Sequence, residues 1–255
     1  MTTESRAAFS TTDLQRTGRI FGWFFIGTFV FSIPAVLLYS KVLKANYVLG
    51  TGGDHRVALG AFLELLTAIC NVATAVVLFP TARRWNERIA LGYVASRVVE
   101  STIIVVGAIS LLSIVTMRHA FGTTHGADPS TYATVGRSLV AVHDWTFLLG
   151  PTFLAGVGNG ILVGYLMFRS GLVPRPWAVL GLTGGALCII GAMVRLFGTT
   201  NGHATTLASL LTVPEIVWEA FLGLYCAWKG FTPPSPLPTQ PSSVSPQQPP
   251  ASATR

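Results

Sequence analysis

The sequence predicts an all-α fold, a polytopic bundle of about six transmembrane helices. Of the 255 residues, 51% are hydrophobic and only 11% are charged, whereas about 25% of the residues of a soluble domain are charged. Apolar stretches of about 20 residues, long enough to cross a hydrocarbon core of about 30 Å, recur along the chain. A soluble bundle would need shorter helices, each with a polar face.

The predicted spans, in chain order, cover about residues 20–40, 57–79, 89–117, 138–168, 177–197 and 207–228. The first apolar run is too long for the hydrophobic region of a cleaved signal peptide, so we interpret it as a true helix. Residues 1–19 are polar and are expected to form a cytoplasmic N-terminal tail. Residues 20–231 then form the transmembrane domain.

The last segment, residues 232–255, has a different composition. It contains eight of the 15 prolines together with many Ser and Gln residues. Such a segment buries too little apolar surface to fold. We expect it to be a disordered cytoplasmic tail.

The basic residues predict the orientation of the bundle. The formal net charge is +7, but Lys and Arg flank the apolar spans instead of forming a long run, which indicates a lipid bilayer and no nucleic acid as partner. With the N-terminus inside, nine of these flanking residues lie inside and six outside, and Arg83, Arg84 and Arg88 share one short inner turn. We therefore predict an N-in/C-in topology.

Half of the acidic residues lie where carboxylates are least expected. Five of the ten are embedded in apolar spans, which also contain one deep arginine, Arg97. A charge at the bilayer centre costs about 2.5–3.5 kcal/mol on insertion scales, so these groups are not expected to face lipid. The embedded acids are Glu64, Glu100, Asp144, Glu215 and Glu219.

Helical spacing aligns these acids with other polar residues. Glu64 and Asn71 share one face of the second helix, and Arg97 can pair with Glu100 on the third. We predict a buried polar network in two layers. The inner layer holds Arg97, Glu100 and Glu219; the outer layer holds Glu64, His143, Asp144 and Glu215. Because one arginine neutralises one carboxylate, we expect Glu64, Asp144 and Glu215 to carry protons near neutral pH or to share a cation.

Small residues predict which helices approach each other closely. Glycines recur at helical spacing on the fourth and fifth helices, at Gly156, Gly160, Gly164, Gly181, Gly184 and Gly191. Without side chains the two backbones approach each other, which packing in lipid favours. We expect this contact within the chain, with a homo-oligomer through the same glycines as the alternative.

Known enzyme and metal motifs are missing from the sequence. It has no HExxH motif, P-loop or GxSxG motif, and its three cysteines are isolated from one another. Four of the five histidines are expected in outer loops. We therefore predict no metal, no cofactor and no catalytic residue, although an enzyme is not ruled out by motifs alone.

Several motifs resemble one family. They include Leu78-Phe79-Pro80, Arg84-Trp85-Asn86-Glu87, Arg97-Val98-Val99-Glu100, Asp144-Trp145-Thr146 and Lys229-Gly230-Phe231. Over about residues 18–231 the chain resembles the bacterial membrane proteins grouped as domain of unknown function 4386. The resemblance implies a multi-pass protein of the bacterial cytoplasmic (inner) membrane with about six helices. It implies no activity.

Three functions stay open at this point. The buried acids favour proton- or cation-linked transport of a small solute. A structural or sensory membrane protein would instead have a dry, fully paired polar core, and an intramembrane enzyme acting on a lipid would have a cleft with histidines gathered at it. A polar cavity between the second, third, fourth and sixth helices is the observation that separates them best.

Overall fold

Helices make up the fold. The computed structural model describes residues 10–44, 47–50, 53–198 and 202–232, without the side chains of residues 202–205. This part of the chain contains helices and no strand. The prediction of an all-α fold is confirmed. Most of the two predicted tails, residues 1–9 and 233–255, lies outside the described residues.

The helices follow one another with short connections. They are α1 (Thr11–Tyr39), a 3₁₀ turn (Tyr47–Leu49), α2 (Asp54–Thr123), α3 (Pro129–Phe147), two π-helical segments (Leu148–Leu154 and Gly156–Val163), α4 (Gly164–Ser170), α5 (Arg175–Phe197) and α6 (Gly202–Lys229). In the described part, five continuous helical stretches are long and apolar enough to cross a membrane. One of them, α2, is bent and supplies two spans, so the predicted count of about six agrees.

Helix α2 is a helical hairpin that turns at a single residue. Asn86 has extended backbone angles (φ −158°, ψ 102°), and its Oδ1 accepts a hydrogen bond from the Ile89 amide at 3.2 Å, as an N-cap does. We call the two arms α2a (54–85) and α2b (87–123). The arms run antiparallel, since the Ser101 hydroxyl on α2b donates to the Ala68 carbonyl on α2a at 3.1 Å.

Both ends of the transmembrane domain lie at the same end of the bundle. Helices α1 and α6 are in backbone contact: a Cβ on Gly18 would lie 2.2 Å from the Phe231 nitrogen, and one on Gly22 would lie 2.1 Å from the Ala227 nitrogen. Only glycine fits at these two positions. The antiparallel packing is what an even number of spans requires, while the side of the membrane that this end faces stays a prediction.

Helix α1 begins earlier than the apolar run that predicted it. Ser10 caps the helix by accepting a hydrogen bond from the Asp13 amide at 3.1 Å, and residues 11–19 of the predicted tail are helical. The start of the helix is set by the capping residue, whereas hydrophobicity alone predicts a later start.

The core has two apolar clusters with a polar layer between them. One cluster, which includes Leu14, Leu78, Trp218 and Phe231, fills the end of the bundle where α1 begins and α6 ends. The other, around Tyr39, Val57, Leu111 and Ile114, fills the opposite end. Large apolar side chains such as Trp23, Leu37, Ile69 and Leu224 are exposed on the outside of the bundle, where a bilayer would cover them.

The predicted packing glycines all contact another helix of the same chain. A Cβ on Gly156 would lie 3.0 Å from the Gly185 carbonyl, and one on Gly164 would lie 3.0 Å from the Leu182 amide. On α5, Gly181 meets Trp218, Gly184 meets Glu215 and Gly191 meets Ala208. Gly160 meets both Gly185 and Glu215. The glycines thus let the second π-helical segment and α4 pack against α5, and α5 against α6. A homo-oligomer through the same glycines stays a prediction.

Candidate ligand-binding site

A cavity of about 480 Å³ lies in the polar layer, between α1, both arms of α2, the π-helical segments and α6. This volume is in the range of small-molecule sites, about 300–1,000 Å³. The wall combines apolar side chains with a compact set of polar ones. The polar residues that line it are Thr28, Ser32, Glu64, Thr67, Asn71, Arg97, Glu100, Thr152, Asn159, Thr212 and Glu219.

Arg97 is the centre of the polar wall. Its guanidinium donates to the Glu100 carboxylate at 2.6 Å and to the Asn71 side-chain oxygen. The Asn71 amide in turn donates to the second Glu100 oxygen at 3.3 Å. All three side chains are buried. The contacts use both oxygens of the Glu100 carboxylate and hold the ion pair in one geometry, which a buried pair requires.

Glu219 forms a second contact on the opposite wall. It accepts a hydrogen bond from the Asn159 amide at 2.6 Å. The Asn159 side-chain oxygen is buried and has no hydrogen-bond partner in the described structure. Its backbone carbonyl accepts from the Trp218 indole at 3.0 Å. Asn159 therefore connects α6 to the π-helical segment through both its side chain and its backbone.

Glu64 lies toward the other end of the cavity. It accepts a hydrogen bond from the Tyr39 hydroxyl at 2.8 Å. The Tyr39 ring packs edge-on against His143, with 5.0 Å between ring centroids, and a small recess beside the cavity is lined by Glu64 and His143. In the described structure, the hydrogen-bond partner of the Glu64 carboxyl is thus a neutral hydroxyl.

The π-helical segments shape the wall that faces α2b and α5. The wider turn leaves carbonyls that neighbouring helices satisfy: Ser96 donates to the Leu154 carbonyl at 3.3 Å, and the Cys188 thiol donates to the Thr152 carbonyl at 3.2 Å. Such segments are frequent at functional sites. Pro151 lies inside the first one and has no backbone N–H to donate to the helix.

The cavity opens at the side of the bundle. Five of its lining residues are exposed: Ile33, Val36 and Leu37 on α1, Phe147 on α3 and Ile216 on α6. Helices α1 and α6 touch near their termini, through Gly22 and Gly223, and the exposed rim lies beyond that contact. The exposed part of the cavity lining therefore belongs to the apolar outer surface of the bundle.

Two of the predicted residues lie elsewhere than expected. Asp144 is not buried; its side chain is 59% exposed, and its Oδ1 is 3.8 Å from the His143 Nδ1. His143, Phe147 and Pro151 follow one another at i, i+4 and i+8 toward the cavity, so Asp144 points about 100° away. Its predicted place among the buried groups of the outer layer is therefore wrong.

Glu215 does not share a layer with Glu64. It interacts electrostatically with Glu219, Glu100 and Arg97 and is absent from the cavity wall. The glycine contacts draw α6 close to the π-helical segment and place the Glu215 carboxyl between them. The inner layer therefore holds Glu215 as well as Arg97, Glu100 and Glu219, which alters the predicted division.

A separate polar cluster lies outside the spans, near the start of α2a. Asp54 accepts from the Tyr47 hydroxyl at 2.8 Å, pairs with Arg118 at 2.5 Å and lies 3.2 Å from the His119 Nε2. Burial and the hydrogen bond to Asp54 raise the pKa of Tyr47. Among the described residues, no group of three or more His, Cys, Asp or Glu side chains has the arrangement of a metal site.

The structure adds residues to the site that the sequence analysis did not include. Helix α1 forms one side of the cavity through Phe29, Ser32 and Ile33, although its acid, Asp13, lies in the first turn and not in the apolar run. Tyr39 is the partner of Glu64, and its position near the end of the first span was the available signal. Asn159 could not be assigned to the site from the sequence, because its hydrogen bond to Glu219 spans 60 residues and depends on the tertiary structure.

These features define a multi-pass α-helical membrane protein with a polar cavity in its bundle. The chain belongs to the family described as Domain of unknown function (DUF4386), which matches residues 20–230. The suspected resemblance is confirmed. A search of the curated proteins and of the solved structures found no match.

Proposed function

We propose that the protein is a proton-linked membrane transporter whose cavity binds a small amphipathic cation. The observation that carries this proposal is the cavity itself, which is open toward the lipid-facing surface and lined by three carboxyls but one guanidinium. The charged and the apolar residues of the cavity wall indicate the class of solute.

The charge balance of the wall favours a cation. Arg97 is already paired with Glu100 at 2.6 Å. The partners of Glu64 and Glu219 are a tyrosine hydroxyl and an asparagine amide, which stabilise a carboxylate by hydrogen bonding but do not neutralise it. In a low-dielectric site these two carboxyls either hold protons or face a positive charge. Proton release on binding of the solute would link its movement to that of protons.

The shape of the wall favours a solute with an apolar body. Phe29, Ile33 and Val36 on α1 and Ile104 and Phe147 on the facing helices line the cavity next to its polar groups. Aromatic rings attract cations through their faces. A solute with a cationic centre and an apolar surface would thus contact both kinds of wall and could enter from the bilayer.

The two other functions receive less support. A structural protein is expected to have a dry core in which every polar group is paired. This core has a cavity, and in the described structure Asn159 Oδ1 and both Glu215 carboxyl oxygens have no hydrogen-bond partner. An enzyme would favour histidines gathered at the opening; of the histidines with described side chains, His143 is near the cavity and none lines it. We place the protein in the bacterial cytoplasmic membrane, N-in/C-in, from the family resemblance and the arginine distribution.

Uptake into proteoliposomes tests the proposal. The probe is tetraphenylphosphonium, a lipophilic cation, and the matched control is tetraphenylborate, an anion of the same shape. Potassium with valinomycin holds the membrane potential at zero. An acidic interior should accelerate uptake of the cation in wild-type vesicles, but not in vesicles with Glu219→Gln or without protein.

The same experiment can contradict the proposal. Uptake equal to that of protein-free vesicles would overturn transport of this solute class. Protein-dependent uptake that ignores the pH gradient would overturn the proton linkage.

A further inference from the structure

Glu215 lies in a closed contact that the cavity does not reach. Its side chain is 2% exposed, and neither carboxyl oxygen has a hydrogen-bond partner in the described structure. The walls around it are glycines: a Cβ on Gly160 would lie 2.7 Å from Glu215 Oε2, and one on Gly184 would lie 3.0 Å from it. We call this contact the glycine seam, formed by Gly156, Gly160, Gly184 and Gly185.

The groups that face Glu215 offer no free positive charge. On its own helix it faces Glu219, from α2b it faces Glu100 and Arg97, and from α5 it faces Cys188. The π-helical segment Gly156–Val163 contains no titratable residue. Arg97 is already bound to Glu100, and the other acids have the same sign as an ionised Glu215. An ionised carboxylate would thus be both desolvated and repelled.

The seam leaves no room for water to hydrate that charge. A Cβ on Gly160 would lie 2.3 Å from the Gly185 Cα, and one on Gly185 would lie 2.5 Å from the Gly156 carbonyl. The backbones are therefore in direct contact. Hydrogen-bond donors reach the carboxylate only if α5 moves away from the π-helical segment.

We propose that Glu215 is a proton-binding site separate from the cavity and that loss of its proton opens the glycine seam. With the proton bound, the carboxyl is neutral and the helices stay in contact. When the proton leaves to water, the carboxylate requires solvation and the seam separates. The proposal involves no solute, so it stands apart from the proposed transport.

Cys188 reports on the seam. It is 1% exposed, and its thiol donates to the Thr152 carbonyl at 3.2 Å. Cys226 is equally buried but packs in the apolar cluster at the end of the bundle where α1 begins and α6 ends. It is therefore a matched control. Two proteins are needed, one retaining Cys188 alone and one retaining Cys226 alone, each with Glu215 and with Glu215→Gln.

The experiment measures alkylation by N-ethylmaleimide against pH, with the rate in Glu215 protein divided by the rate in Glu215→Gln protein. The thiol ionisation that both proteins share cancels in this ratio. The charge of an ionised Glu215 disfavours the Cys188 thiolate, so it cannot by itself produce a rise. If opening releases one proton, the ratio for Cys188 should rise about tenfold for each pH unit until Glu215 is ionised. The ratio for Cys226 should stay flat. A flat ratio for Cys188 would overturn the coupling.

Infrared spectroscopy of the folded wild type supplies an independent readout. A protonated-carboxyl band should be present at neutral pH, with part of it lost in Glu215→Gln. Absence of the band from the wild type would overturn the proton site even if the variant did not fold. A band that Glu215→Gln leaves unchanged would do the same.

Discussion

Two glutamates one helical turn apart on α6 have opposite surroundings. Glu219 lines a cavity of about 480 Å³ and accepts a hydrogen bond from Asn159 at 2.6 Å. Glu215 is enclosed by glycine backbones and has no hydrogen-bond partner in the described structure. The same residue type on the same helix thus serves two regions, an open polar site and a closed packing contact.

The difference shows that neighbouring helices, and not the span itself, decide what a buried acid does. Glu219 faces a helix that offers an amide and leaves space, so water or a solute can reach it. Glu215 faces small residues that leave no space. Replacing the group that neutralises a buried charge is therefore expected to cause the largest loss of stability. Replacing a glycine of the glycine seam is expected to cause the next largest.

Replacing Arg97 should have the largest effect. Arg97→Gln leaves the Glu100 carboxylate buried without its ion-pair partner, and removing one member of a buried pair costs about 3–5 kcal/mol. Thermal unfolding in detergent should show a large loss of stability. Arg88→Gln is the control because Arg88 is exposed at the Asn86 turn. Equal stability of the two variants would mean that the ion pair does not hold the cavity wall.

Gly160→Ala should have the next largest effect. Its Cβ would lie 2.3 Å from the Gly185 Cα, and overpacking of this kind costs about 1–3 kcal/mol. Gly122→Ala is the matched control, since a Cβ there meets nothing within 4 Å. If both variants unfold at the wild-type temperature, the glycine seam is looser than the structure indicates.

Tyr39→Phe should have a smaller effect. It removes the hydroxyl that donates a hydrogen bond to Glu64 at 2.8 Å. A hydrogen bond to a charged group contributes about 1.5–3 kcal/mol to folding stability, and one between neutral groups contributes about 1 kcal/mol. We expect a loss at the lower value if Glu64 carries a proton. A double-mutant cycle with Glu64→Leu, which removes the acceptor, measures the pair. Additive effects would show that the hydroxyl does not stabilise Glu64.

Asp128→Ala should have the smallest effect, outside the membrane. Hydrogen bonds from Thr131 and Ser130 lower the pKa of this N-cap carboxyl to about 2. Because the pKa is lower in the folded state, the contribution is present above the ordinary Asp pKa and fades as pH falls toward 2. The difference in unfolding temperature between wild type and variant should be visible at pH 6 and shrink at pH 3. A difference that grows with acidity would contradict this sign.

The helical fold and the ion pair could be predicted because they depend on local patterns. Apolar runs located the spans, and spacing alone paired Arg97 with Glu100. Asp144 could not be placed correctly, because the π-helical segments after Phe147 change the register that spacing assumes. Helix α1 was missing from the predicted site because its apolar run contains no acid, and its contribution to the cavity wall depends on how it packs.

Equilibrium binding to the purified protein tests most directly whether the cavity is a cation site. Wild type should bind tetraphenylphosphonium, more weakly as pH falls because protons compete for Glu64 and Glu219, and should not bind tetraphenylborate. Glu219→Gln should weaken binding at least about tenfold, or about 1.4 kcal/mol, while Glu87→Gln at the exposed turn should leave it unchanged. Equal binding of cation and anion, or full affinity in Glu219→Gln, would contradict a cation site in the cavity.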